Sequence, residues 1–507
     1  MLTDNIADWI VIGFAVLAAM ALIVIIVMYI QDISQTSHAI RRNYPVLGRL
    51  RYRFEALGEY FRQYFFAHDR QEQPFNRAAR AWVYRTSKGL GGMVGFGSTN
   101  DIQAGGSVIF VNSSFPLLEE EKTESPPKVI GPQCRYPFEA KNLFNLSGMS
   151  FGAISKPAVR ALAKGAAEAG IWMNTGEGGI SPYHEEYGTD IIYQIGTAKY
   201  GVRDEHGNLD LERLKEVGKR VKAFEIKLSQ GAKPGRGGVL PAIKVTAEIA
   251  AIRGIKQGEV SSSPNRHPDI NNCDDLLMMI HTIRELTGRP VGFKAVFGSE
   301  HFPQELCEAI HHKGLEFAPD FITVDGGEGG TGAAPQVLID HVGLSLKESL
   351  PIVVDTLSRY DLRDRIRVIA SGKLVTSGNV AWALCMGADF AVSARGFMFS
   401  LGCIQSLQCH LDICPTGITT HKKRFQKGLV VEDKAQRVAK YAHWVNHEIN
   451  VIAYSCGLRN ASEFTRKHVR ILQKPGYSTS LDQLYPEVKP NQLVKESKSR
   501  NARKKSA

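Results

Sequence analysis

Eight short apolar runs, each closing on small or polar residues, recur between residues 143 and 396, and they constrain the fold more than anything else in the chain. They are Leu143–Ser147, Ile171–Thr175, Phe224–Ser229, Val260–Ser263, Pro290–Phe297, Phe321–Asp325, Ile366–Ser371 and Asp389–Ser393. Segments of helical period, such as Ala158–Ala169 and Asp274–Leu286, lie between several of them. Short buried strands alternating with helices predict an α/β architecture around a parallel sheet. Eight repeats point to a closed (β/α)8 TIM barrel. An open doubly wound sheet has the same local pattern, and periodicity alone does not separate the two. The fourth run, which ends in three serines, has weak strand propensity.

The ends of these runs carry the chemistry. They read SGMSFG, NTGEGG, KLSQGAKPGRGG, SPNRH, VDGGEGGTG, ASGK and SARG. Barrel active sites form at the C-terminal ends of the strands, where glycine lets backbone N–H groups approach an anion and lysine adds charge. The loops after the last two strands commonly hold a phosphate in this fold. Here they are Ser371-Gly372-Lys373 and Ala394-Arg395-Gly396. Lys227 and Lys294 are charges set inside apolar strands, and each needs a partner or a ligand.

A second constraint lies at the N-terminus. Trp9–Ile30 is 22 residues without a charge. A helix of that length spans about 33 Å, enough for a bilayer core. Asp4 and Asp8 precede it, and Arg41, Arg42, Arg49, Arg51 and Arg53 follow it. The positive-inside rule then puts everything after the span in the cytoplasm, a single-pass protein of the cell membrane with its arginines at lipid headgroups. These five arginines and the basic stretch Lys489–Ala507 together account for the whole net charge of +11. The remainder is neutral, which argues against a nucleic-acid partner. The expected order is an anchor (1–30), a small α+β juxtamembrane region (31–140), the barrel (141–425), a helical region (426–486) and a disordered basic tail (487–507).

Cys403, Cys409 and Cys414 stand within twelve residues, followed directly by Pro415. Clustered thiolates bind zinc or iron–sulfur centres, and inert buried thiols are the remaining alternative. A closed zinc site needs a fourth ligand, and His410, adjacent to Cys409, would strain it. Three ligands suit a [3Fe-4S] cluster. Cys134, Cys273, Cys307, Cys385 and Cys456 are scattered and expected to be buried hydrophobes.

With these segments in view, Leu146–Thr420 resembles the FMN-binding synthase domain of glutamate synthases. The matching stretches are SGMSFGAIS, NTGEGG, EIKLSQGAKPGRGGVLP, DGGEGGTGAAP and the cysteine array followed by PTGIT. With the apolar N-terminus and WVYRTSKGLGG, the chain resembles the short, membrane-anchored branch of that family. The resemblance implies a (β/α)8 barrel, FMN and a [3Fe-4S] cluster on the three cysteines. The family's glutaminase and C-terminal β-helix domains are expected to be lacking here, leaving the nitrogen source open.

The resemblance also implies roles. It places Lys227, Gln230 and Lys233 against substrate or flavin, and Glu177 as the proton-handling group beside the substrate. Ser147, Met149, Ser150 and Asn174 would approach the flavin ring, and Lys294 its N1/O2 edge. Asp325, Gly326, Gly327, Gly329, Gly330 and Thr331 would line the ribityl or phosphate side, with the two phosphate loops beyond. The implied reaction is reduction of 2-iminoglutarate, from 2-oxoglutarate and ammonia, to L-glutamate, with ferredoxin or a membrane donor as electron source. Another amine, as in N-methylglutamate formation, or a redox-sensing role without turnover, would fit the same site.

Overall fold

The computed structural model describes residues 2–490, so most of the tail expected over 487–507 lies outside the described residues. The chain divides into two compact units, Met1–Ala78 and Ala79–Ala507.

In the first unit a single helix runs over Leu2–Ser34. Its stretch Ile6–Ser34 is long and apolar enough to cross a membrane, and its most apolar eighteen-residue window has none of its residues buried against protein. Two further helices, Ala39–Asn43 and Gly48–Phe61, follow a corner closed by Asp32. The Asp32 carboxylate is inaccessible to solvent and pairs with Arg41 at 2.7 Å and Arg49 at 2.8 Å.

In the second unit a closed barrel of eight strands decides between the two sheet topologies. In chain order its strands are Phe144–Leu146, Met173–Asn174, Ile191–Ile195, Ala223–Lys227, Val291–Ala295, Phe321–Asp325, Arg367–Ser371 and Phe390–Ser393. Every neighbouring pair is parallel, and the last strand closes onto the first. Seven of the eight anticipated runs fall on these strands. The exception is Val260–Ser263. Its Ser261–Ser262 pairs antiparallel with Val239–Leu240 in a small ribbon outside the barrel, and Val260 is exposed. Serines give a barrel strand too little apolar surface to bury on both faces. The third position belongs to Ile191–Ile195, IIYQI, every residue of which is buried.

Aromatic side chains seal the barrel against its outer helices. Tyr441, on the helix Val431–Ser455, packs edge-on against Phe144 and Phe397 and donates its hydroxyl to the Val375 carbonyl at 2.8 Å. Truncating Phe397 here would cost about 3–5 kcal/mol. Gly165 lets the same helix approach Lys156–Ala169 closely, because a Cβ there would meet the Ala435 carbonyl at 2.5 Å. Residues 426–486, expected to be helical, also supply the strands Val469–Lys474 and Tyr477–Ser480. Val469–Lys474 is the central strand of a three-stranded antiparallel sheet, paired with Val108–Phe110 on one side and Tyr477–Ser480 on the other.

Candidate active site

The C-terminal ends of the barrel strands open into a cleft of about 1020 Å³, counted to its solvent-facing mouth. Five cations line it, Lys227, Lys233, Lys244, Arg253 and Arg395. Glu177 is the one carboxylate among the described residues that do so. Such a cleft suits an anionic ligand.

Glu177 enters on the glycine-rich loop after the second strand. Gly176 makes that loop possible. Its φ is +65°, and a Cβ would meet the Ser150 nitrogen at 2.5 Å, so two loop backbones touch. The Glu177 side chain then passes between Gly196 and Gly238, where added Cβ atoms would lie 2.6 Å from its Cβ and 2.2 Å from its Oε1. Its Oε1 lies 2.9 Å from Nζ of Lys227, at the end of the fourth strand. Lys227 also donates to the Gln230 side-chain oxygen.

The charges set one another. Burial pushes the Glu177 carboxyl up, but Lys227, Lys233 and Arg253 outweigh it and hold the group down at about 2. Burial lowers the Lys227 ammonium, against the pull of Glu177, and Lys294 lowers it further. Lys294 stands directly across from Lys227 on the neighbouring strand. Lys233 is lowered to about 8, first by burial and then by repulsion from Lys227. Glu177 is therefore an ionised hydrogen-bond acceptor near neutral pH, and Lys233 is a lysine poised to give up a proton.

Of the residues anticipated from sequence, Met149, Ser150, Glu177, Lys227, Gln230 and Lys233 meet in this cleft. So do Gly330, Thr331, Ala394, Arg395 and Cys409. Arg395 donates to the Thr331 carbonyl and lies against Gly330, where a Cβ would meet its Nε at 2.6 Å. Ser147 and Asn174 line a separate small cavity inside the barrel. Lys294, Asp325 and Ser371 are buried at strand ends. Asp325 accepts hydrogen bonds from the Gly231 nitrogen at 2.9 Å and the Ser371 hydroxyl at 2.8 Å, so it ties loops together. Gly329, Gly372, Lys373 and Gly396 lie outside the cleft lining, with Gly372 and Lys373 in positive-φ conformations.

Several contributors were not foreseen. Arg253 closes the helix Ala247–Arg253 and is buried, with its guanidinium bonded to the Ser261 hydroxyl at 3.0 Å and the Phe151 carbonyl at 3.3 Å. Its Nε has no acceptor among the described residues. Beneath the cleft, Glu225 accepts from Asn174 at 2.9 Å, Gln194 at 2.6 Å and Thr323 at 2.7 Å. Gln194 joins this buried network to the cleft wall. Glu225 lies two residues before Lys227 and so on the same face of its strand, a period-2 signal already present in the segment EIK.

The cysteine loop forms one wall. Cys403 and Cys414 are buried, and Cys409 borders the cleft. Gln405, Leu407 and Asp412 all adopt positive φ, at 57°, 56° and 57°. For non-glycine residues this costs about 1–2 kcal/mol each, so the loop is held in shape by its contacts. Lys244 donates to the carbonyls of Cys409 at 2.7 Å and Thr419 at 2.6 Å, and Tyr84 to that of Cys403 at 2.5 Å. Burial pushes the Cys403 thiol up, Arg395 opposes it, and the nearby Cys409 and Cys414 add to the rise. Among the described residues no three His, Cys, Asp or Glu side chains converge on a single metal ion. A polynuclear cluster places each thiolate on a different iron, so convergence on one point is not its requirement.

A parallel barrel with a cationic cleft at the C-terminal ends of its strands defines the class: a (β/α)8-barrel protein with a cation-lined mouth. Residues 106–459 match the conserved region in glutamate synthase. The glutamate synthase large subunit-like protein YerD of Bacillus subtilis (strain 168) is 40% identical over 499 residues, covering 90% of this chain and 94% of that protein. The chain thus belongs to the glutamate synthase family. The archaeal glutamate synthase (NADPH) of Methanocaldococcus jannaschii is 35% identical over 317 residues, 62% of this chain and 59% of that protein. Among solved structures, a mutant flavocytochrome b2 with benzoylformate superposes with a TM-score of 0.46 at 14% identity, covering 83% of this chain and 84% of that one.

Proposed function

We propose that this chain is a membrane-anchored flavin oxidoreductase that forms L-glutamate by reducing 2-iminoglutarate, the condensation product of 2-oxoglutarate and ammonia. The observation that carries this reading is the Glu177–Lys227 pair, set with Lys233 and Arg253 in one cleft. A dicarboxylate needs cations for its two ends, and its imine nitrogen needs an acceptor to orient it and a proton to complete the amine. Lys227 and Arg253 would face the carboxylates, and Gln230 would fix the Lys227 ammonium. Glu177 would accept from the imine N–H. Lys233 would give the nitrogen its proton, so that one hydride at carbon and one proton at nitrogen turn the imine into the amine.

FMN would be held by Met149 and Ser150 on one side and by Thr331, Arg395 and the Ser371–Lys373 loop on the other, and when bound it supplies the hydride. Cys403, Cys409 and Cys414 would hold a [3Fe-4S] cluster, which passes electrons singly from ferredoxin or a membrane donor. Leu2–Ser34 would span the membrane, with Arg41 to Arg53 placing the barrel in the cytoplasm.

The test is the full-length protein, purified anaerobically, reduced, and given 2-oxoglutarate with ammonia or with methylamine. Glutamate, identified by mass, is the expected product with ammonia. N-methylglutamate alone would move the reading to another amine, and no amino acid from either would remove the catalytic reading.

A further inference from the structure

The helix Gly48–Phe61 and its continuation Arg62–Phe66 carry an exposed apolar stripe. Leu47, Leu50, Phe54, Leu57, Phe61 and Phe65 recur at three- and four-residue steps and are 47–75% exposed. Side chains at that spacing share one helical face. Arg51 and Arg53 border the stripe, and Glu59 projects from the opposite side.

The start of this helix is bolted to the end of the first one. Asp32 holds Arg41, Arg49 and the Val46 nitrogen, the last at 3.0 Å, and Arg49 also reaches the Gln31 side chain at 3.0 Å. Asp32 is two residues beyond the uncharged run that ends at Ile30. If that run fills the bilayer core, this corner lies at headgroup depth and the stripe begins where acyl chains meet water.

We propose that residues 47–66 form an in-plane interfacial helix, its stripe buried at the acyl boundary and Arg51 and Arg53 against anionic headgroups. The inference rests on Leu2–Ser34 being a membrane span. A second copy of the chain is the poorer occupant, since stripes bordered by arginine would bring like charges together.

The experiment puts a photo-crosslinking amino acid in place of Phe14, Phe54, Phe61 or Glu59, one at a time. The full chain is reconstituted in phosphatidylethanolamine–phosphatidylglycerol vesicles and irradiated, and the adducts are identified by mass. Phospholipid adducts at Phe54 and Phe61, with their loss at Glu59, support the proposal. Lipid adducts at Phe14 with none at Phe54 overturn it and leave the anchor standing. Adducts of Phe54 to a second copy overturn it in favour of a dimer. No lipid adduct at Phe14 removes the anchor reading and the proposal with it.

Discussion

Nζ of Lys227 stands 2.9 Å from Oε1 of Glu177 across the barrel mouth, both side chains largely shut off from solvent. One comes from the fourth strand and the other from the loop after the second, so the contact fixes how the mouth is shaped. Glu177→Gln preserves shape and removes charge, stranding a buried ammonium. We expect a stability loss near the low end of about 3–5 kcal/mol and a fall in glutamate formation of about 10²-fold. A urea midpoint reads the first and steady-state assay the second. Adding Lys227→Met to Glu177→Gln should cost less than the separate losses summed, because the partners share one interaction.

Lys233 sets the alkaline limb. As the proposed proton donor it would act in its protonated form, and the group is lowered to about 8. The pH profile of kcat/KM should therefore fall as pH rises through about 8, and Lys233→Arg, whose guanidinium keeps its proton in this range, should lose that limb together with most of the turnover. Stability runs the other way. Between about 8 and the ordinary 10.5, the unfolded chain binds a proton the folded chain has released, so unfolding free energy rises with pH in that window. A profile that stays flat to pH 9 would assign the proton to another group.

How far the sequence led depends on where each signal lives. Glycine-rich strand ends are local, so NTGEGG and EIKLSQGAK pointed to Glu177, Lys227, Gln230 and Lys233, which do meet in the cleft. Ile191–Ile195 is reached through a connection whose helix, Pro182–Glu185, is only four residues long, so no helical period marks the return before it. Val260–Ser263 took its place by spacing alone. Arg253 ends an ordinary amphipathic helix, and Lys244 sits in a short turn. Their roles come from which carbonyls, rings and carboxylates the fold brings near, and no local pattern encodes that. The same holds for Asp325, whose strand-end position suggested a ligand contact and whose bonds go to Gly231 and Ser371.

Two glycines should respond differently to the same change. A Cβ at Gly238 would meet the far end of Glu177, a side chain that can swing aside. Gly238→Ala should thus spare the backbone and lower turnover by displacing the carboxylate, with a stability loss no larger than that of Glu177→Gln. A Cβ at Gly231 would meet the Gly326 carbonyl at 2.2 Å and Gly329 Cα at 2.7 Å, which are backbone. Gly231→Ala should reduce soluble yield and thermal midpoint together. Equal behaviour of the two variants in thermal melts would contradict this distinction.

Glu225 tests the floor of the site. Three donors, from Asn174, Gln194 and Thr323, converge on its two oxygens in the barrel interior. Glu225→Gln puts an amide N–H₂ where one of those oxygens accepts, so at least one donor loses its partner. The expected cost is about 1–3 kcal/mol, the value of leaving one buried donor unsatisfied. Gln194 also faces the cleft, so the substrate KM should rise more than in Thr323→Val, which removes a donor on the far side. Denaturant titration and steady-state kinetics of the two variants check both statements.

The cysteine loop gives the last test. Its three non-glycine residues of positive φ cost free energy that Lys244, Tyr84 and Asp412 must offset, the last by accepting from the His421 nitrogen at 2.7 Å. A loop held in that shape with Cys403 and Cys414 buried behind Cys409 fits residues that ligate a shared group. Cys414→Ser should therefore lose iron and its broad visible absorbance while keeping bound flavin, because no thiolate replaces the lost one. Cys385→Ser, at a buried cysteine in the helix Ser377–Cys385 away from this loop, should keep its iron. Lys244→Met removes the donor to two carbonyls without touching a thiol, so its iron content should fall between the two. Iron and flavin assays of the three purified proteins decide the matter: iron retained in Cys414→Ser would mean that these thiols hold no cluster.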